Sequence, residues 1–263
     1  MKKTINNLWA VFYPIVMYYL VSALAFFGMT ILFGEDNRIY MLKQMVSSGA
    51  TIPFLMALRK QDMHTTEVVF GKAEKLMPAK MCRIAGLTVV AMMALGIALN
   101  NFIVMTPLVK VSTGFQNVNE AFFGGTWILE VLASCVVIPI AEELLFRGLV
   151  LSRCMYLVTE PWAILFSALL FGLIHVNVVQ LIYATALGVF LAVIVRKTKH
   201  IRFAILGHAA ANFIAVIRAE TGILEFSYQA TASGIAFSLG MVGVGILAMW
   251  LLIKLCNKEG SLL

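Results

Sequence analysis

Charge is scarce in this sequence. Asp, Glu, Lys and Arg make up 13% of its 263 residues, about half the ~25% of a soluble domain. The shortage excludes a disordered, solvated chain. Apolar types reach 61%, against ~45–50% in soluble domains. A water-soluble fold of this size lacks the volume to hide such an excess, so the solvent is lipid and a soluble enzyme is excluded. Cysteine is also sparse. Cys82, Cys135, Cys154 and Cys256 show no CxxC and no metal-type spacing, which excludes a secreted disulfide scaffold. They read as structural thiols, since a free cysteine behaves as a small hydrophobe. Neither HExxH nor GxSxG occurs, and there is no glycine-rich phosphate loop and no internal repeat. Thirteen acidic residues against twenty basic ones leave a net +7. In lipid that excess bears on sidedness rather than on nucleic acid, and no nucleic-acid partner is expected.

What is present is a series of long apolar runs. The first extends from Leu8 to Phe33. Ala23-Leu24-Ala25 within it mimics a signal-peptidase site, yet the run continues well past the ~7–15 residues of a signal segment, so it reads as a retained first span. Seven more follow: Met45–Leu58, Ile84–Leu108, Trp127 to about Leu151, Pro161–Val176, Val178–Val195, Phe203–Ile217 and Ala232–Leu255. A span needs about 20 residues, fewer where its ends snorkel, so the second and seventh are the short ones. With eight spans and a cytoplasmic N-terminus, sixteen of the twenty Lys and Arg fall on the inner side, and Arg38, Lys43, Lys110 and Arg218 on the outer. Dropping the second span would place the basic Arg59–Arg83 connection outside, against the positive-inside rule. The expected fold is all-α: a polytopic bundle of about eight transmembrane helices, both termini cytoplasmic. Residues 1–263 read as one integral membrane domain, with N-terminal helices over 1–120 and a motif-bearing core over 128–217. The Arg59–Arg83 connection, partly amphipathic, is expected to lie on anionic headgroups.

Against this background the informative residues are the expensive ones. An ionised side chain at mid-helix costs ~2.5–3.5 kcal/mol on insertion scales. The fourth run carries Glu142, Glu143 and Arg147 within six positions. Glu143 and Arg147 are i,i+4 and share a face, so they can pair. Glu142 is turned ~100° away and has no partner on its own helix. It must face a cavity or another helix, unless the trio is a charge cluster at a helix end. Pro139 just upstream can kink the helix. In the fifth run Phe171 and His175 are i,i+4, which would pack ring beside imidazole; alone, such a histidine is as readily structural. In the seventh, His208 and Asn212 are i,i+4, separated by three alanines that permit close approach. Alone they would pass as an interhelical hydrogen-bond pair. Together the three runs supply an unpaired carboxylate, two imidazoles and a carboxamide. A carboxylate or imidazole can take a proton from water, and imidazole and amide can donate to a tetrahedral oxyanion.

Glu142-Glu143-x-x-x-Arg147, Phe171-x-x-x-His175 and His208-x-x-x-Asn212, in that order, resemble the three motifs of the CPBP intramembrane proteases, the CAAX-protease and bacteriocin-processing or ABI family. Gln180 to Gly188 and the Arg196-Lys-Thr-Lys-His-Ile stretch are similar to it too. The resemblance covers roughly residues 128–217. It implies an endopeptidase acting on a peptide precursor or a membrane protein within the bilayer. Glu142 and His175 would activate water, His208 and Asn212 would form the oxyanion site, and Glu143 with Arg147 would hold the fourth helix. A divalent metal such as zinc is left open, with Glu142, His175 and His208 as its ligands and a position for water. If His208 donates to the oxyanion, two protein ligands remain, fewer than the usual three, which favours the metal-free arrangement. The alternative is a non-catalytic scaffold or a bacteriocin self-immunity protein of the same fold; intact motifs favour the enzyme. A small transporter would show paired broken helices in corresponding halves, and no such symmetry is visible. Counting helical rise from the basic ends leaves His208, Glu142 and His175 at unequal depths. A common site then requires tilted or broken helices, in the cytoplasmic half or near the midplane.

Overall fold

The computed structural model describes residues 8–257. Lys2, Lys3, Lys258 and the placement of both termini lie outside the described residues. Among those described, the chain is helical throughout and has no strand. It is an all-α polytopic membrane bundle.

Each apolar run folds as helix. The elements are α1 (Trp9–Phe33), α2 (Tyr40–Gln61), α3 (Met63–Phe70), α4 (Pro78–Val104), the short α5 (Leu108–Val111) and α6 (Thr113–Phe122). Then come α7, continuous over residues 127–157, α8 (Glu160–Leu173), α9 (Val178–Thr198), α10 (Ile201–Thr221) and α11 (Ala232–Asn257). By length and composition, α1, α4, α9, α10 and α11 can each cross a membrane. α8 has 14 residues, about 21 Å at ~1.5 Å per residue, short of a ~30 Å hydrocarbon core. α2 is longer than its apolar run because Tyr40–Gln44 and Arg59–Gln61 extend it at both ends.

Small residues set the packing. Without a hydrophobic drive between helices in lipid, close backbone approach supplies the dispersion contact. A Cβ on Gly245 of α11 would meet Leu95 Cγ of α4 at 2.5 Å, and one on Gly207 of α10 would meet Met92 Cγ at 2.8 Å. α4 is therefore clasped on two sides. α1 is peripheral: Leu20, Leu24, Phe27 and Ile31 are exposed, as suits a lipid-facing helix. Cys82, Cys135 and Cys154 are free thiols.

α7 is irregular, and its sequence says why. Pro139 has no N–H and its ring would press on the carbonyl four residues back. The helix widens upstream into a π segment over Leu132–Val137, where Ile138 N–H reaches back five residues to Ala133 O. A second π segment spans Phe146–Val150, and Leu151 N–H reaches Phe146 O. The regular stretch between them, Ile138–Leu145, carries both glutamates.

The basic Arg59–Arg83 connection is partly ordered by packing. Phe70 of α3 is buried, Asp62 binds Arg153 at 2.6 Å, and Glu74 O contacts His200 Nε2 at 2.9 Å.

Candidate active site

α7, α8 and α10 bring the motif residues together. Glu143 and Arg147 pair at 2.9 Å with both side chains wholly buried. The i,i+4 spacing predicts this, and the second π segment still permits it. Arg147 does more than pair. Its Nη2 donates to Gly188 O of α9 at 3.0 Å, and its guanidinium lies 4.5 Å from the Phe171 ring centroid. A Cβ at Gly188 would stand 3.1 Å from that nitrogen, so glycine leaves room for the contact.

His208 sits between the two glutamates. Its Nδ1 donates to Glu143 Oε1 at 2.9 Å, and its Nε2 stands 3.7 Å from Glu142 Oε2. The first contact is a hydrogen bond; the second is too long for one. Glu143 Oε1 thus accepts from both Arg147 and His208. The i,i+4 argument gave Glu143 one partner and missed the second, because His208 lies 65 residues away.

His175 stands in a turn two residues beyond the end of α8 rather than inside a helix. The turn that carries it has Val176 in the left-handed region at φ 57°, and Asn177 caps α9 by accepting from Gln180 N at 2.9 Å. His175 is thus delivered from the end of a short helix, and the pocket it lines also holds Glu142 and His208. His175 Nδ1 is 3.0 Å from Phe171 O. A carbonyl only accepts, so Nδ1 carries a proton, and in the neutral ring the lone pair is on Nε2.

Phe171 joins the parts. Its ring meets His175 edge-on at 5.4 Å, as the i,i+4 spacing predicts, and also His208 at 5.5 Å and Phe146 at 5.2 Å. Asn212 donates to Ser134 O of α7 at 2.7 Å. That carbonyl is free for a local reason. In the π segment Ile138 N–H goes to Ala133, and the residue five beyond Ser134 is Pro139, which has no N–H to offer. Asn212 supplies the missing donor and keeps a second amide N–H.

Glu142, His175, His208 and Asn212 line one cavity of about 670 Å³, whose walls include Tyr18, Met92, Phe171 and Tyr183. Glu143 and Arg147 stand behind that wall. Among the described residues no three of His, Cys, Asp or Glu form a set that could hold a metal ion. Glu142 and His208 Nε2 approach each other while His208 Nδ1 binds Glu143, an orientation a metal-binding histidine also takes, but no third His, Cys, Asp or Glu joins them among the described residues. The side chains as arranged therefore do not form a ready three-ligand set.

The type II CAAX prenyl endopeptidase Rce1-like family matches residues 124–214, the stretch that builds this wall. That stretch is similar to the CPBP proteases that its motifs resemble. A Bacillus subtilis (strain 168) protein described as "Putative membrane peptidase YdiL" is 32% identical over 89 residues. That match covers 34% of this chain and 36% of the relative, so the chain spans only about a third of the curated protein it matches. No solved structure matches. The family match falls on the stretch that carries all three motifs and runs from the start of α7 into α10.

Proposed function

We propose that this chain is an intramembrane endopeptidase of the bacterial cytoplasmic membrane, hydrolysing a peptide bond in a peptide precursor or membrane protein. The observation that carries the reading is the single cavity lined by Glu142, His175, His208 and Asn212. The family match and the Bacillus relative support it.

Glu142 is the group that takes a proton from water. It is 7% exposed and faces the cavity without a hydrogen-bonded partner close enough to occupy it. As the water oxygen bonds to the scissile carbonyl carbon, the carbonyl π pair moves onto oxygen. Asn212 and His208 lie on the facing helix to receive that oxyanion. With Nδ1–H held by Glu143, His208 donates from Nε2 only as the imidazolium. The Glu143 carboxylate, held by Arg147, stabilises that cation, much as the acid of a hydrolase triad does. The oxyanion then collapses, the C–N bond breaks, and the proton on Glu142 passes to the leaving nitrogen. In its neutral form, His175 accepts the remaining proton of the new carboxylic acid at Nε2. Glu143 and Arg147 are positioning residues in this scheme.

The test compares membrane peptidomes of cells carrying the wild-type chain and Glu142→Gln. Glu142→Gln should accumulate as folded protein and lose cleavage by ~10²-fold or more, the usual scale for removing a general base. Undiminished cleavage by a folded Glu142→Gln protein refutes the assignment.

A further inference from the structure

The two ends of the bundle differ sharply in charge. One end gathers the 59–83 segment, residues 147–160 and the α9–α10 turn. There Arg153 binds Asp62, Arg196 binds Glu160 and Lys199 Nζ donates to Lys72 O. Arg59, Lys60, Lys75, Lys80, Arg83 and Arg202 belong to the same end. The other end gathers residues 34–40, 101–126, 174–177 and 218–231. Gly125 packs on Arg38 O, Gly114 on Asn177, and Arg218 donates to Asn101 and Ser227. Its four basic residues are Arg38, Lys43, Lys110 and Arg218. Arg38 is paired with Asp36, while Lys43 and Arg218 are buried.

The cavity belongs to the second end. From Glu142 and His208 it runs past Gln44 and Asn100 to Asn119 and Tyr228, and Asn119 is exposed. α6 roofs it. Phe115, Val118 and Phe122 (i, i+3, i+7) turn toward the cavity, while Gln116, Asn117 and Glu120 are exposed. Such a helix suits a membrane–water interface. Apart from the motif residues Glu142, His175 and His208, the cavity wall carries no ionisable group stronger than tyrosine.

Basic segments stay cytoplasmic. Combining that rule with the cavity's course, and resting on the endopeptidase reading above, we infer that substrate reaches Glu142 from the non-cytoplasmic side, beneath α6. The substrate class is an uncharged segment at the outer leaflet, from an exported peptide or the outer end of a membrane protein, rather than a cytoplasmic chain terminus.

Thiol labelling tests this without needing activity. Cys82, exposed near the start of α4, is a native reporter of the basic face. Asn119→Cys reports the cavity mouth and Gln44→Cys its interior. Intact cells and inside-out vesicles are treated with a small membrane-impermeant thiol reagent. In intact cells Asn119→Cys and Gln44→Cys should label while the wild-type chain, with Cys82, does not; in inside-out vesicles Cys82 should label. Labelling of Cys82 in intact cells overturns the orientation. With Cys82→Ser added so that only the introduced thiol reports, labelling of Gln44→Cys only from the basic side, or from neither side, overturns the route. Correct labelling combined with undiminished cleavage by Glu142→Gln would instead refute the endopeptidase reading and leave the route standing.

Discussion

Arg147→Ala removes a cation from a site where both partners are wholly buried. In the native protein Glu143 Oε1 receives Arg147 Nη1 and His208 Nδ1, each at 2.9 Å, and Glu143 Oε2 is already without a partner. Arg147 also holds Gly188 O and covers the Phe171 ring. Deleting it leaves a buried carboxylate dependent on one imidazole. Breaking a buried ion pair from one side costs ~3–5 kcal/mol, which is roughly 10²–10³·⁵-fold in the folded-to-unfolded ratio. The orphaned Gly188 carbonyl adds to that loss. The measurable consequence is a large fall in monodisperse protein recovered in detergent and a lower Tm. A double-mutant cycle separates charge from packing. Arg147→Met with Glu143→Gln removes both charges and keeps much of the volume, so it should recover stability relative to Arg147→Met alone. Activity should not recover, because His208 has lost the anion that stabilises its imidazolium. If Arg147→Ala costs less than ~1 kcal/mol, the value of an exposed pair, Glu143 is not the buried anion described here. If the double variant is both stable and active, Glu143 does not position His208.

Four further outcomes are expected. Gly172→Ala should destabilise by ~1–3 kcal/mol, the usual cost of overpacking, because the new Cβ would collide with Thr185 Oγ1 and stand 2.6 Å from Leu181 O; adding Thr185→Ala should rescue it only partly, since the backbone carbonyl remains, and Tm in detergent reads both. Asn212→Ala should lower kcat more than it raises KM, by ~10²–10³-fold if the amide serves the oxyanion; an equal rise in KM alone would place it in ground-state binding. Burial holds His200 neutral below its ordinary range despite its contact with Glu74 O. A histidine with a depressed folded pKa contributes stability present above its unfolded value of ~6.5 and lost as pH falls below it, so Tm should drop between pH 7.5 and 5.5, and less so in His200→Gln. If the metal-free arrangement favoured by ligand count holds, activity of purified protein should survive exhaustive chelation with elemental analysis finding no bound metal; loss that stoichiometric zinc restores would refute it.

The residues were legible before their geometry was. Glu142, Glu143, Arg147, His175, His208 and Asn212 stand out because polar groups in lipid are costly. Glu143–Arg147 and Phe171–His175 follow from i,i+4 spacing alone, and both contacts are present. The eight apolar runs are all helical, although five helices meet the length and hydropathy needed to cross a membrane. Spacing could not show what lies across helices. The second partner of Glu143 comes from α10, the Arg147–Gly188 bond from α9, and the Tyr19–Ile174 hydrogen bond at 2.7 Å from α1. Hydropathy also misjudged where α8 ends, since Leu173, Ile174 and Val176 are equally apolar in helix and in turn.

Pro139 explains why the site lies where α7 is irregular. A straight α-helix would satisfy its own carbonyls and leave no main-chain acceptor for a neighbouring helix. Removing one N–H and shifting Ile138 to an i→i+5 bond frees Ser134 O, and an unsatisfied carbonyl in lipid costs several kcal/mol. Asn212 meets that need with one of its two amide protons, which fixes the carboxamide plane. The same residue is then both a brace and a pre-aimed donor, without separate support. The reasoning has a consequence that can be checked. Pro139→Ala restores an N–H that could close on a nearer carbonyl and allow the helix to regularise. Asn212 would then lose its acceptor and its fixed orientation. Stability should change little or rise, since a helix-interior proline costs ~3 kcal/mol relative to alanine, while kcat falls. A Pro139→Ala protein that gains stability and keeps full kcat would separate the π segment from catalysis and leave it a purely structural accommodation of proline.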